Sequence, residues 1–361
     1  MSGTVLKRFL AINPGSTSTK IALFEGTDSW TLRETLREEL VISREDAERL
    51  AEPMDQLDVR SEQIERFLAD AGSPVLDAVA GRGGLTHPLE AGSYAVNALM
   101  LEDLAACRYG SHVSNLGALL AKQVADERGI PSLVADPVGV DQFEPEARLS
   151  GWPGLERRSL LHALNMRSVA REAAREMGGE LDSFNFVVAH LGGGISIAPM
   201  KAGRLIDVNN ANDGGPFSPQ RVGTLPTTGL IDLAFGGEFA SAGEMKGAMT
   251  RRGGLLAYLG TDDGREVRRR IEAGDVRAEE VYRAMAYQIA KEIGAMAAVL
   301  YGKVDAIILT GGLPHPPLSD WIAERCLWIA PVRIHAGERE LLALGRAAAR
   351  HVCEGEALMD Y

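Results

Sequence analysis

Three glycine-bearing segments, each directly after an apolar run, carry the residues best suited to chemistry in this sequence. The first is Asn13-Pro14-Gly15-Ser16-Thr17-Ser18-Thr19-Lys20. A glycine turn followed by hydroxyls such as Ser16 and Ser18 presents backbone N–H groups and side-chain donors to an anion. It is not a P-loop: the GxxxxGK[ST] spacing is absent, and a strand rather than a helix follows. The second is His190 with Gly192, Gly193 and Gly194, where three glycines let a ligand come close to the backbone. The third is Thr310-Gly311-Gly312, a turn that could admit the adenosine part of a nucleotide. Each also has an ordinary reading, as a serine-rich hairpin or a flexible glycine turn without function.

The remaining candidates are charged or titratable. Arg82 lies between Gly81 and Gly83-Gly84, so its guanidinium could meet a carboxylate or phosphate in bidentate fashion; a surface arginine in a loop is the alternative. Asp136 ends an apolar strand and could hold a metal-bound water or simply cap the Asp-Pro turn. His162 sits between Leu160-Leu161 and Ala163-Leu164, a setting that suits a core histidine as well as a catalytic one. Glu338 and Glu340 open the last helical stretch, where acids favour the positive helix end without any further role.

The elements that must position these residues follow from apolar periodicity. Residues 8–24 read as strand, tight turn, strand. Residues 45–70 are charged with apolar positions at helical spacing, and Val75 to Ala80 form a short strand running into Arg82. Residues 115–128 form a helix with Ser114 as N-cap and Gly129 as stop, and Leu133-Val134-Ala135 is a strand that delivers Asp136. Helix 156–177, which contains His162, precedes strand Phe186–Ala189. Residues 278–301 form the longest helix, with a stripe at Val281, Met285, Ile289, Ile293, Met296 and Leu300. Strand Ala306–Leu309 follows, and a last helix runs from about Glu338 to His351. Strands alternating with helices make the class α/β. LAINPGSTSTKIAL and VVAHLGGGISIAP share one layout, which suggests a duplicated domain or two unrelated glycine hairpins.

Composition narrows the function. The chain has 361 residues, enough for two cores, with 45% apolar and 24% charged residues, which excludes disordered and fibrous classes. Its net charge of −12 argues against nucleic acid, whose phosphates need a basic face. Cys107, Cys326 and Cys353 are odd in number and in no metal-ligand spacing, as in a reduced, cytoplasmic protein. The N-terminal apolar stretch is short and runs into Asn13-Pro14-Gly15, which reads as a strand rather than a signal peptide. No run approaches the length of a membrane span.

In order, NPGSTSTK, GRGG, VADPVGVD, RRSLLHALN, AHLGGGISIA, ILTGGL and AGERELLAL resemble the butyrate kinases, of the acetokinase family within the superfamily of acetate and sugar kinases, heat-shock ATPases and actin. The resemblance spans nearly the whole chain, and VADPVGVDQFEPEARLSGWPGLERRSLLHALN and NNANDGGPFSPQRVGTLPT are its most specific segments. It implies two ribonuclease-H-like, actin-like ATPase domains with a cleft between them. Residues 1–150 would be the acyl-substrate side, to which helix 338–361 returns, and 151–337 the nucleotide side. It implies ATP/ADP and Mg²⁺ as cofactors, a short-chain carboxylate as substrate, and a homo-oligomer, dimer or larger.

Roles carry over position by position. Asn13, Ser16 and Ser18 match the first phosphate hairpin, Arg82 the arginine that holds the acyl carboxylate and the transferring phosphoryl group, and Asp136 the aspartate near metal and substrate. His162 matches the histidine that stabilises the transition state, His190 and Gly192 to Gly194 the second hairpin, and Gly311 and Gly312 the adenosine-side turn. Glu338 matches the acid near Mg²⁺, with Glu340 the other alignment. Acetate kinases carry a second arginine in a Gly-Thr-Arg-Ser-Gly stretch; here it reads Gly223-Thr224-Leu225-Pro226, and Arg221 is the nearby substitute. A sugar kinase of the same superfamily, with Asp136 as base, and a non-catalytic nucleotide-binding module are the rival readings.

Overall fold

A computed structural model of the chain describes residues 5–50 and 52–361, so the first four residues of the N-terminal stretch lie outside the described residues. The chain forms two compact units, Met1–Val140 with Arg339–Tyr361, and Asp141–Glu338. The second unit starts earlier than the sequence suggests, because Gln142 and Glu144 already bond to the backbone of Leu205 and Ile206.

Unit 1 holds a sheet of β1 (Lys7–Pro14), β2 (Ser18–Gly26), β3 (Arg33–Val41), β4 (Ala78–Arg82), β5 (Ser93–Ala95) and β6 (Ser132–Ala135), in the order β3-β2-β1-β4-β6-β5. Strands β1, β4 and β6 are parallel, and β2 and β3 are antiparallel to their neighbours. Its helices are α1 (Arg44–Arg49), α2 (Leu57–Asp70), α3 (Ala98–Ala105) and α4 (Leu116–Arg128). Unit 2 holds β7 (Asn185–Leu191), β8 (Ile195–Lys201), β9 (Arg204–Leu205), β10 (Ala306–Gly311) and β11 (Val332–Ala336), in the order β11-β10-β7-β8-β9. Its helices are α5 (Pro145–Arg148), α6 (Ala163–Glu176), α7 (Thr227–Phe235), α8 (Ala242–Arg251), α9 (Gly254–Leu259), α10 (Gly264–Glu272), α11 (Val276–Val299) and α12 (Leu318–Cys326). The chain ends in unit 1 with α13 (Glu340–Glu354).

Both sheets repeat one pattern: a hairpin, a third antiparallel strand, then two strands parallel to the first. This is the ribonuclease-H-like arrangement, once per unit. In unit 1, Leu10, Ile12, Ile21 and Val79 pack on Ile64, Phe67 and Leu120 of α2 and α4. The small residues Ala11, Ala22 and Ala80 are buried too, and α13 packs on β1 and β4. In unit 2, Val187, Ile197, Ile307 and Leu309 meet the α11 stripe of Met285, Ile289 and Ile293, and α6 packs on β7 and β10. The sheet of unit 1 is thus completed by a helix that follows the last strand of unit 2 in sequence.

Several boundaries differ from the sequence reading. The helix before β7 starts at Ala163, not at 156, and His162 is its N-cap. Residues before it are held instead by Arg157, which bonds to Ala147 and Val208 carbonyls. Ser114 lies in a 3₁₀ turn capped by His112, and α4 begins after Asn115; Gly129 does end it, at φ 62°. The strand read at Val75–Ala80 is Ala78–Arg82. β3, RETLREELV, has no buried residue: a charged edge strand resists pairing with another chain and shows no apolar alternation to read. No described helix is long and apolar enough to cross a membrane, and the three cysteines are free.

The glycines beside Arg82 answer to packing. A Cβ on Gly81 would stand 2.0 Å from Gly117 O, and one on Gly117 would stand 2.2 Å from Arg82 O, so β4 and α4 touch backbone to backbone. Gly81→Ala is expected to destabilise the protein by about 1–3 kcal/mol, the range for overpacking. Urea denaturation measures it, and an unchanged midpoint would mean that β4 and α4 separate at no cost. A second expectation concerns α11: burial, then the charge of Asp207, hold the Glu292 carboxyl above its usual range against the pull of Arg157 and Lys291. The fold therefore favours the protonated form, and the penalty grows as pH rises above the ordinary value of 4.5. Glu292→Gln should stabilise the protein at neutral pH by up to about 1 kcal/mol. The gain should vanish in acid, and a gain that persists there would refute the titration as its cause.

Candidate active site

In unit 1 three candidates stand at the C-terminal ends of adjacent parallel strands, where open α/β sheets gather ligand residues. Ile12 pairs with Gly81 and Arg82 with Ala135, so Asn13, Arg82 and Asp136 share one sheet end. Asn13 Nδ2 donates to Glu340 Oε2 at 2.7 Å, Arg82 Nη1 donates to the same oxygen, and Arg82 Nη1 also lies 3.4 Å from Asn13 Oδ1. The Arg82–Glu340 ion pair is largely enclosed, with 21% and 11% of the side chains exposed. Asp136 is buried, and its backbone is at φ 39°, a left-handed conformation that costs a non-glycine residue free energy and tends to occur at functional sites. In the first hairpin Ser16 is exposed, whereas Ser18 is buried with its hydroxyl donating to Glu39 Oε1 at 2.6 Å. His112 is solvent-exposed as a residue, with Nδ1 held by Ser114. The protein massed around it, and after that the charge of Arg82, hold its imidazole below the ordinary value.

In unit 2 the rings of His162 and His190 stack at 3.9 Å with an interplanar angle of 8°. Asn165 Nδ2 lies 2.8 Å from His190 Nδ1 and 3.1 Å from Thr310 Oγ1. An amide NH₂ can only donate, so His190 Nδ1 accepts and the ring is neutral with its proton on Nε2. That Nε2 points at the glycine loop: a Cβ on Gly192 would lie 3.1 Å from it. His162 Nδ1 is 3.1 Å from Ser196 Oγ.

The glycine loop is braced from behind. Gly192 N donates to Gly194 O, and Ser218 Oγ donates to Gly193 O at 2.6 Å. Arg221 N donates to Ser218 Oγ, and the Arg221 guanidinium lies where a Cβ on Gly194 would be 2.7 Å from Cζ. Arg221 therefore lies against the second hairpin. A cavity of ≈ 380 Å³ opens beside it, lined by Gly192, Gly193, Arg268, Gly312, Leu313 and Glu338 among others, a volume in the range of small-ligand pockets.

The structure separates the two acids that the sequence left as alternatives. Glu340 is the first residue of α13 and bonds to Arg82 and Asn13 in unit 1. Glu338 precedes the helix, with Arg339 as N-cap, and lines the unit 2 cavity. Among the described residues no group of three or more His, Cys, Asp or Glu is placed to hold a metal ion. Mg²⁺ needs fewer, since it takes one or two carboxylates with waters and phosphate oxygens. A carboxylate at a glycine-lined cavity, as Glu338 is, and the enclosed carboxylate of Asp136 both suit it. Sequence reasoning did not single out His112, Asn165, Ser196 or Ser218; Asn165, three residues after His162, was the one with a helical-spacing signal.

Residues 154–316 match a family model described as the acetokinase family. The fold is similar to an acetate kinase of Porphyromonas gingivalis (TM-score 0.75, 19% identity, covering 93% of this chain and 98% of that one). It is similar also to a propionate kinase of Francisella tularensis subsp. tularensis SCHU S4 (0.73, 19%, 94% and 98%) and to an acetate kinase of Entamoeba histolytica (0.72, 15%, 94% and 98%). At these identities the likeness is one of fold.

Glu340→Ala removes the acceptor shared by Asn13 and Arg82. Because the pair is partly open to solvent, the expected loss is about 1–3 kcal/mol, with faster amide exchange in the first turns of α13. Unchanged exchange there would mean that α13 is held by its apolar face alone.

Proposed function

We propose that the chain is a carboxylate kinase of the acetokinase family that transfers the γ-phosphoryl group of ATP to a short-chain fatty acid, butanoate + ATP ⇌ butanoyl phosphate + ADP. The observation that carries this reading is the family match over residues 154–316, which contains His162, His190, the glycine loop, Arg221, Gly311 and Gly312. The resemblance of the full motif series to butyrate kinases supports the C4 substrate over shorter acids.

A carboxylate is already nucleophilic at neutral pH, so no general base is required. The task is to relieve repulsion between two anions and align them in line. In this reading Arg82, aimed by Glu340 and Asn13, holds the acid and the transferring phosphoryl group. His162 donates to phosphoryl oxygens, while neutral His190 shapes the glycine loop whose N–H groups face the nucleotide phosphates. Arg221 supplies the second cation, and Gly311 and Gly312 admit the adenosine. Preorganised donors of this kind act where charge develops in the transition state. Glu338 and Asp136 are the carboxylates offered to Mg²⁺, which would neutralise phosphate charge when bound.

Two experiments test the proposal. Purified protein with ATP, Mg²⁺ and C2–C6 acids should form acyl phosphate, trapped as hydroxamate, with a maximum at C4 or its branched relatives. A maximum at acetate would move the substrate assignment, and none with any acid would refute the reaction. Arg82→Ala should lower kcat by two or more decades, about 2.7 kcal/mol or more, with the fold retained; a fully active variant would remove Arg82 from the mechanism.

A further inference from the structure

Arg60 is a charged side chain to which the reading above gives no role. It lies in the first turn of α2 and is completely buried. Its guanidinium makes five hydrogen bonds. Nε and Nη2 donate to Gln56 Oε1 at 3.1 and 2.8 Å, Nη1 to Ser18 O at 3.0 Å and Thr19 Oγ1 at 2.7 Å, and Nη2 also to Gly15 O at 2.8 Å. These occupy all five N–H donors of an arginine, yet every acceptor is neutral. Burial lowers its pKa only to about 10, so it is charged at neutral pH.

Among the described residues Arg60 has no ion-pair partner, which is costly for a buried cation, and it sits near the positive end of a 14-residue helix, which adds to the cost. Packing alone would be served by an apolar side chain. What the arginine does is grip the back of the first hairpin. Gly15 N donates to Ser18 O, closing the turn, and Arg60 takes the Gly15 and Ser18 carbonyls from inside. Because a trans peptide holds its C=O and N–H on opposite sides, the inward Gly15 carbonyl turns Ser16 N–H outward, where Ser16 is exposed.

We propose that Arg60 is a positioning residue whose charge, met by neutral acceptors among the described residues, makes the Gly15–Ser18 turn an anion site, its counter-charge being the phosphoryl group that binds on the outer side of the turn. The inference rests on the reading of this hairpin as a phosphate contact. It adds a residue that never touches the ligand and acts through the turn it holds and the field it projects.

Gln56→Glu is the discriminating variant. It places a carboxylate where Arg60 now meets an amide oxygen, keeps the guanidinium bonds, cancels the charge, and gives up only the Gln56 Nε2 bond to Leu50 O. The expected result is a Tm within about 4 °C of the wild type, with the Kd for inorganic tripolyphosphate and the KM for ATP raised about tenfold or more. An unchanged Kd in a folded Gln56→Glu protein overturns the proposal, because a merely structural arginine would be indifferent to its partner's charge. Should that variant not fold, Arg60→Lys and Arg60→Met replace it. Retained tripolyphosphate binding in the lysine variant and a tenfold loss in the methionine variant support the role, whereas equal affinity per folded molecule refutes it. The two readings fail separately. A wild type that binds tripolyphosphate but phosphorylates no acid refutes the proposed reaction and not the role of Arg60. Acyl phosphate formation with Gln56→Glu unaltered refutes only the latter.

Discussion

The carboxylate of Glu340 is the interaction on which unit 1 most depends. It takes hydrogen bonds from Asn13 on β1 and Arg82 at the end of β4, so one oxygen ties two strands to a helix that arrives from the far end of the chain. Remove it and Arg82 loses its ion pair and is left with the longer contact to Asn13 Oδ1. With it, the guanidinium is aimed and partly neutralised, and α13 is anchored over the strands it covers. The same atoms therefore serve packing and the proposed chemistry, which is economical but leaves little tolerance for substitution.

The two sheets share a topology and divide the electrostatic work differently. Unit 1 places cations around its hairpin, with Arg82 at the strand end and Arg60 beneath the turn. Unit 2 places a neutral histidine and three glycines at its hairpin and brings Arg221 in from a loop. A glycine loop offers N–H groups at short range without side chains in the way, which suits a polyphosphate chain. A cation-backed turn attracts a single anionic group more strongly. Duplicated scaffolds can diverge in this way because strand pairing fixes where the ends lie and leaves the residues there open.

The return of α13 to unit 1 has a structural consequence. α6 follows the last strand of unit 1 and packs in unit 2, and α13 follows the last strand of unit 2 and packs in unit 1. The sheet of unit 2 is covered by helices of its own continuous chain, whereas the sheet of unit 1 takes α13 from beyond unit 2. The stability of unit 1 thus includes a helix whose connection runs through unit 2, and truncation near residue 140 would strip α13 from the sheet of unit 1.

The sequence by itself determined the α/β class, the repeated hairpin, the long apolar stripe of α11 and the polar residues at strand ends. Those features are local: period, turn chemistry and the residue that follows an apolar run. Tertiary structure decided the rest. Glu338 and Glu340 differ by two positions in sequence yet fall in different units, because the chain crosses between them. His162 reads as helical by its apolar neighbours, but Arg157 draws the preceding segment away and leaves it as a cap facing His190. The charged strand β3 has no pattern because none of its residues is buried, and its pairing comes from β2. Arg60 looked like one more polar residue in a charged helix, and only the packing of α2 against the first hairpin buried it. Contacts across 41 to 327 residues of chain, as between Arg60 and Thr19 or Asn13 and Glu340, leave no trace in local periodicity.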